Sequence, residues 1–163
     1  MRRRRRRRRN RRRSTTPDTA ASRVLLHIVA RGRIGRSAEA ELVDRYMKRI
    51  AWPTRVTEMP DAGGRMPDLP GQSRRVLLDE TGEMLSSMAF ARMLERWRDD
   101  GVREARFEIG AADGFDDAAR GQADLLLSFG RATWPHMLAR AMLAEQLFRA
   151  VSIVAGHPYH REG

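Results

Sequence analysis

Cysteine is absent from all 163 positions, which removes disulfides, thiolate nucleophiles and thiolate metal ligands together and fits a reducing compartment. No apolar run approaches the roughly 20 residues that span a bilayer, and no apolar h-region follows the basic start as a secretory signal requires. The chain is therefore expected to be soluble and cytoplasmic. Neither G-x-G-x-x-G after a strand nor G-x-x-x-x-G-K-[ST] occurs, so neither a dinucleotide nor a nucleoside-triphosphate cradle is indicated. The spacing His157-Pro158-Tyr159-His160 has no third ligand nearby, and no metal is expected. With no internal repeat, this length predicts one domain around a single core.

Arginine, by contrast, is abundant, and its position matters more than its number. The net charge is +11, but residues 1–22 hold eleven Arg (2–9 and 11–13) against one Asp, which leaves +1 for residues 23–163. The charge belongs to the extension. Such a run buries nothing, is expected to be disordered, and would attract phosphate polymers without sequence preference; an upstream start codon explains it equally well.

The folded part is expected to begin at Arg23. Val24–Ala30 is an apolar, partly β-branched run of the length of a strand buried on both faces. Ser37 is a plausible N-cap for an amphipathic helix to about Ile50, and Thr54–Met59 alternates as a second strand. Three Pro and three Gly between Pro60 and Arg74 predict a mobile loop. Arg75–Asp79, Ala105–Ile109 and Leu125–Leu127 read as further strands, with helices over Ser87–Asp99 and roughly Phe115–Arg120. This alternation predicts an α/β layer with a mainly parallel sheet.

The last third is the most apolar. After Leu125–Leu127 and a small, polar loop at Ser128–Thr133, Pro135 pre-sets the first turn of a long helix that ends near Gly156. Met137, Ala141, Ala144, Phe148 and Val151 form a stripe that Leu138, Met142, Leu147 and Val154 widen, so the helix must be covered by its own domain or by a second subunit. The stripe is read as core and dimer seam. In parallel sheets ligands sit beyond the carboxyl ends of the strands, where Leu78-Asp79, Gly110–Gly114 and Ser128–Thr133 fall. Small residues there admit an adenine and a ribose, although Gly110–Gly114 alone reads as a tight turn.

Leu77-Leu78-Asp79, Ile109-Gly110 with Asp113-Gly114, Thr133-Trp134-Pro135-His136, Arg140 with Ala144–Ala150, and His157–Arg161 stand in an order that resembles the ribosomal RNA methyltransferases of the SPOUT superfamily, of the small RlmH type. The likeness covers about residues 23–163. It implies a mainly parallel α/β sheet flanked by helices, a C-terminal trefoil knot and a homodimer. It also implies that S-adenosylmethionine bound in the knot methylates N3 of a pseudouridine in helix 69 of the large-subunit ribosomal RNA within the ribosome. Position by position, Leu78, Gly110, Phe129, Gly130, Arg131, Ala132, Thr133 and Trp134 would hold S-adenosylmethionine, while His136 and Arg140 would touch RNA. Where the family usually has Gly-Gly-Pro-Glu-Gly, this chain has Gly110-Ala111-Ala112-Asp113-Gly114, and Gly130-Arg131 replaces a more Ser- and Leu-like pair. Ala111 is expected at negative φ, since a positive value would strain it.

Methyl transfer from a sulfonium is an in-line displacement in which positioning and loss of the nucleophile's proton are the main demands. His157, Tyr159, His160 and Arg161 have residue types that accept such a proton or stabilise the anion, and the likeness assigns them catalysis. The blander reading is a C-terminal tail docked by hydrogen bonds. Glu145 and Arg149 read as a helix-surface pair, His136 as a capping residue, and His27 has no assigned role. Two other classes stay open: an RNA-binding protein that keeps the fold without methyl transfer, and a generic α/β nucleotide-binding protein.

Overall fold

The computed structural model describes residues 23–161, with the backbone alone at His160 and Arg161. The arginine-rich segment, expected to be disordered, lies outside the described residues, as do the side chains of His160 and Arg161.

The elements follow the expected order: β1 (Leu25–Arg31), α1 (Ala38–Arg49), β2 (Thr54–Met59), β3 (Ser73–Glu83), α2 (Ser87–Asp99), β4 (Glu104–Ile109), α3 (Asp117–Gly121), β5 (Leu125–Leu127), α4 (His136–Val154) and a closing 3-10 turn, Pro158–Arg161. All pairings are parallel, in the order β2-β1-β4-β3-β5. Local chemistry sets the helix starts: the hydroxyl of Ser37 accepts from Ala40 N–H and that of Ser86 from Ala89 N–H. Pro135 sits at the N-cap of α4, one position before the helix begins.

Alternate strand residues divide between two unlike faces. Leu26, Ile28, Val76, Ala105 and Phe107 join Val43, Met47, Phe90, Leu94, Ala144 and Leu147 in one core under α1, α2 and α4. The opposite face is buried but charged. His27, Glu104, Arg106 and Glu108 are all less than 5% exposed, and they pair with one another and with Thr57 and Arg75. Burial pushes the His27 imidazole below its ordinary pKa against the pull of Glu104, so it is neutral at pH 7, with Nδ1–H donating to the carboxylate and Nε2 accepting from Thr57. Where a layer of helices usually covers a parallel sheet, residues 60–72 form a strap. Arg106 donates to the carbonyls of Pro67 and Asp68, and Arg31 to those of Pro60 and Gly63.

Helix α4 lies against both α1 and α2, so much of the apolar surface expected at a dimer seam is covered within the chain. The exposed large apolar groups near it are Met84, Met88 and Trp134. Beside this helix the β3–β5 ladder is interrupted: Leu78 and Glu83 both pair with Leu127, and the intervening residues turn over β5. There a Cβ on Gly82 would stand 2.5 Å from the backbone carbonyl of Leu126, so only glycine fits.

Candidate functional site

Three loops leave the carboxyl edge of the sheet side by side, after Leu78 of β3, after β4 and after β5, and enclose a cavity of about 340 Å³. From the first come Leu78, Asp79 and Glu80, from the second Gly110–Gly114, and from the third Ser128, Phe129, Gly130, Ala132, Thr133 and Trp134. His136 and Ala139 close it from α4, and Arg120 from α3.

Small residues and hydrogen bonds set its walls. Gly114, at φ +75°, returns its N–H to Ala111 O and completes a tight turn. Ala111 is not among the positive-φ residues, as expected, so the alanines are accommodated without backbone strain. A Cβ at Gly110 would press on Gly114 and Phe115 at 3.3 Å. In the third loop the Ser128 hydroxyl donates to Gly130 O at 2.8 Å and accepts from Gly130 N–H at 3.1 Å, which pins the bend. The Thr133 hydroxyl donates to Glu80 at 3.2 Å, tying the third loop to the first.

The cavity's charges are mostly acidic: Asp79, Glu80 and Asp113, against Arg120. Asp79 accepts from the N–H and hydroxyl of Thr81 and, at 2.8 Å, from Arg120 Nε. Burial raises the Asp79 carboxyl, but these donors outweigh it and hold it below the usual carboxylate range. A second, more apolar hollow of about 490 Å³ lies on the far side of the third loop, between Met84, Phe90 and Met142.

The structure brings Leu78, Gly110, Phe129, Gly130, Ala132, Thr133, Trp134 and His136 around one cavity, while Arg131 is exposed and does not line it. Arg140 does not line the cavity: it is 1% exposed, donates to Glu58 at 2.6 Å and to Gly32 O at 3.0 Å, and so clamps α4 to the ends of β1 and β2. Asp79 and Glu80, with Asp113 and Arg120, have no role assigned by the family likeness, although Asp79 and Asp113 fall in the strand-end loops expected to bind ligand. The acidic pair at the end of a buried strand was the available signal for the first two, whereas Arg120 meets Asp79 across 41 residues and left none.

The tail lies at the other end of α4. Tyr159 packs edge-on against Phe148, with ring centroids 4.6 Å apart, lies under Arg149 and donates to Glu145 at 3.3 Å. Burial, followed by its bond with Tyr46 and the Glu145 charge, pushes its phenol up to about 12, so at neutral pH it is a donor and an anchor, not a base. His157 Nδ1 accepts from Tyr159 N–H at 3.2 Å. Neither residue lines the cavity of its own chain.

The family profile described as "Predicted SPOUT methyltransferase" matches residues 24–160. A protein of Rhizorhabdus wittichii named "Ribosomal RNA large subunit methyltransferase H" is 72% identical over 140 residues, which is 86% of this chain and 100% of the relative. A protein of the same name from Novosphingobium aromaticivorans is 68% identical over 142 residues, again 86% and 100%, and one from Bradyrhizobium diazoefficiens is 43% identical over 82% of this chain and 97% of its own. Among solved structures, a probable methyltransferase from Bordetella pertussis superposes with TM-score 0.50 at 12% identity, over 82% of this chain and 98% of that one. This last likeness is one of fold.

Proposed function

Because the chain belongs to the SPOUT methyltransferase family, we infer that it methylates large-subunit ribosomal RNA, with S-adenosylmethionine as donor and N3 of a pseudouridine in helix 69 as acceptor. The observation that carries this reading is the convergence of three strand-end loops on one cavity, at the edge where parallel sheets bind ligands.

The residues present fit the donor. The volume lies in the range of small-molecule sites, the glycine and alanine walls admit close backbone approach, and the acidic rim suits the donor's sulfonium and ammonium charges. When bound, the donor supplies an electrophilic methyl group. The chain's own part is to orient both reactants. Leu78, Gly110 and the Phe129–Trp134 loop wall the cavity, and the Ser128 and Thr133 hydrogen bonds keep that loop from sagging into it. The turn of Gly82 over Leu126 supports a threaded, knotted C-terminal passage at this point.

The tail folds back along α4 so that the Tyr159 hydroxyl meets Glu145, roughly 14 Å of helix past His136, and neither His157 nor Tyr159 lines the cavity of its own chain. If the tail takes part in proton removal, it serves the site of another copy. That supports a homodimer with each tail acting on its partner's cavity, and the exposed Met84 and Met88 beside the apolar hollow supply an apolar surface for contact. Within this reading Tyr159 anchors the tail, and His157, His160 and Arg161 remain the candidates for handling the imide proton. No described helix is long and apolar enough to cross a membrane, which accords with work on ribosomes in the cytoplasm.

The competing reading, an RNA-binding protein without methyl transfer, draws on the altered Gly110–Gly114 loop; that Ala111 is not a positive-φ residue counts against backbone strain there. The test is to incubate a chain starting at Arg23 with S-adenosylmethionine and ribosomes lacking the modification, and to weigh the RNA fragments. One added methyl on the helix 69 pseudouridine is expected. No added methyl, with the full chain also inactive, would overturn the reading.

A further inference from the structure

We propose that Arg120, aimed by Asp79, binds the α-carboxylate of the methyl donor, an inference that rests on the donor assignment above. Such a donor is an adenosine joined to an amino acid, and its carboxylate must be met by a cation or by N–H groups when it leaves water. Arg120 is the one Lys or Arg among the residues that line the cavity.

Its guanidinium is already oriented. Nε donates to Asp79 Oδ2 at 2.8 Å, and Nη1 reaches Asp117 Oδ1 at a long 3.4 Å. No described residue accepts from Nη2. The fork is planar and rigid, so fixing Nε fixes the direction of the unused edge. Asp79 cannot swing away, because its other oxygen accepts both the N–H and the hydroxyl of Thr81, and its side chain is 3% exposed. The buried carboxylate thus references an arginine of a short surface helix to the end of β3.

The neighbouring charges sharpen the assignment. Without Arg120 an incoming carboxylate would face Asp79, Glu80 and Asp113 alone. With it, the cavity presents one cationic point in an otherwise acidic rim, and this pattern matches a ligand whose one anionic group accompanies an ammonium and a sulfonium. An RNA phosphate is the other anion a free guanidinium edge accepts; the position of Arg120 inside the cavity lining favours the donor.

Calorimetric titration separates these. Wild type, Arg120→Met and Arg120→Lys are titrated with S-adenosylmethionine and with 5′-methylthioadenosine, which keeps the adenosine and lacks the amino acid. The expected result for Arg120→Met is an affinity for S-adenosylmethionine lower by about ten- to a hundredfold, with methylthioadenosine within about twofold of wild type, and an intermediate loss for Arg120→Lys. Should Arg120→Met fail to fold, Asp79→Asn serves instead, with a smaller but equally ligand-selective loss. Equal loss for both ligands would overturn the proposal and make Arg120 a support of the loop, and so would no loss at all. A loss confined to binding of ribosomal RNA fragments would move the contact to a phosphate. Wild type binding neither small ligand would remove the donor assignment itself, an outcome distinct from all of these.

Discussion

Replacing Gly82 by alanine tests the architecture of the cavity at its narrowest point. The new Cβ would lie 2.5 Å from the carbonyl carbon and oxygen of Leu126 and 2.8 Å from the nitrogen of Leu127. Raising 2.5 Å to the 3.4 Å of ordinary contact requires about 0.9 Å of movement. Both partners are backbone, so no rotamer change relieves the overlap, and Gly82 is not a positive-φ residue, so the penalty is one of space alone. Overpacking of a filled interior costs typically 1–3 kcal/mol, and the absence of a yielding side chain puts this case at about 3 kcal/mol. The strain falls on β5, a three-residue edge strand held by β3 alone, immediately before Ser128 and Phe129. Stability and ligand affinity should therefore fall together. Guanidinium denaturation of Gly82→Ala should show the midpoint shift, and calorimetry should show weakened binding of S-adenosylmethionine. A variant within about 0.5 kcal/mol of wild type and with unchanged affinity would refute the close passage as described.

Four further outcomes follow from the same geometry. Glu58→Gln strips the buried Arg140 of its counter-charge and should lower stability by about 3 kcal/mol, the low end for broken buried pairs because Glu58 is part-exposed; urea unfolding measures it. The carboxyl of Asp79 is held below its unfolded value, so its contribution is complete above about pH 4 and lost as pH falls through the depressed folded pKa; Asp79→Asn should flatten that acid limb of a melting-temperature profile. Tyr159→Phe keeps the ring on Phe148 and should retain methylation, whereas Tyr159→Ala should release the tail and abolish it; loss of methylation in a stable Tyr159→Phe protein would make the phenol a chemical participant. Chains ending at Gly156, mixed with full-length chains carrying Gly82→Ala, should regain methylation if tail and cavity come from different copies, and a mixture as inactive as its parts would argue for a site within one chain.

The strands were legible in sequence because each is a short β-branched or apolar run between turn residues, and Ser37 and Thr54–Met59 fell where capping and alternation put them. What pairing pattern cannot display is a contact made across many residues. Arg140 gave no sign of its partner, Glu58, which stands 82 positions away. The same distance effect concealed Arg120 behind Asp79 and left His27 without a role, although it joins Thr57 to Glu104 beneath the sheet. The strand-end loops were legible from the alternation of strands and helices and their individual residues from family likeness, and only the structure separates Arg131, which does not line the wall, from its neighbours that do. The covering of the charged face was equally hidden, since a segment of Pro and Gly reads as mobile whether or not arginines hold it.

That strap has a consequence for how the chain tolerates change. Arg31 and Arg106 grip residues 60–72 through four carbonyl oxygens, those of Pro60, Gly63, Pro67 and Asp68. A carbonyl is present whatever the side chain, so the hold is indifferent to most spellings of the segment and sensitive to its path. Exposed positions such as Ala62 and Leu69 can accept new side chains, labels or short epitopes, while Arg106, whose two terminal nitrogens divide between Pro67 and Asp68, cannot be exchanged for lysine without losing that fork. The cover of the sheet is thus written in the residues beneath it.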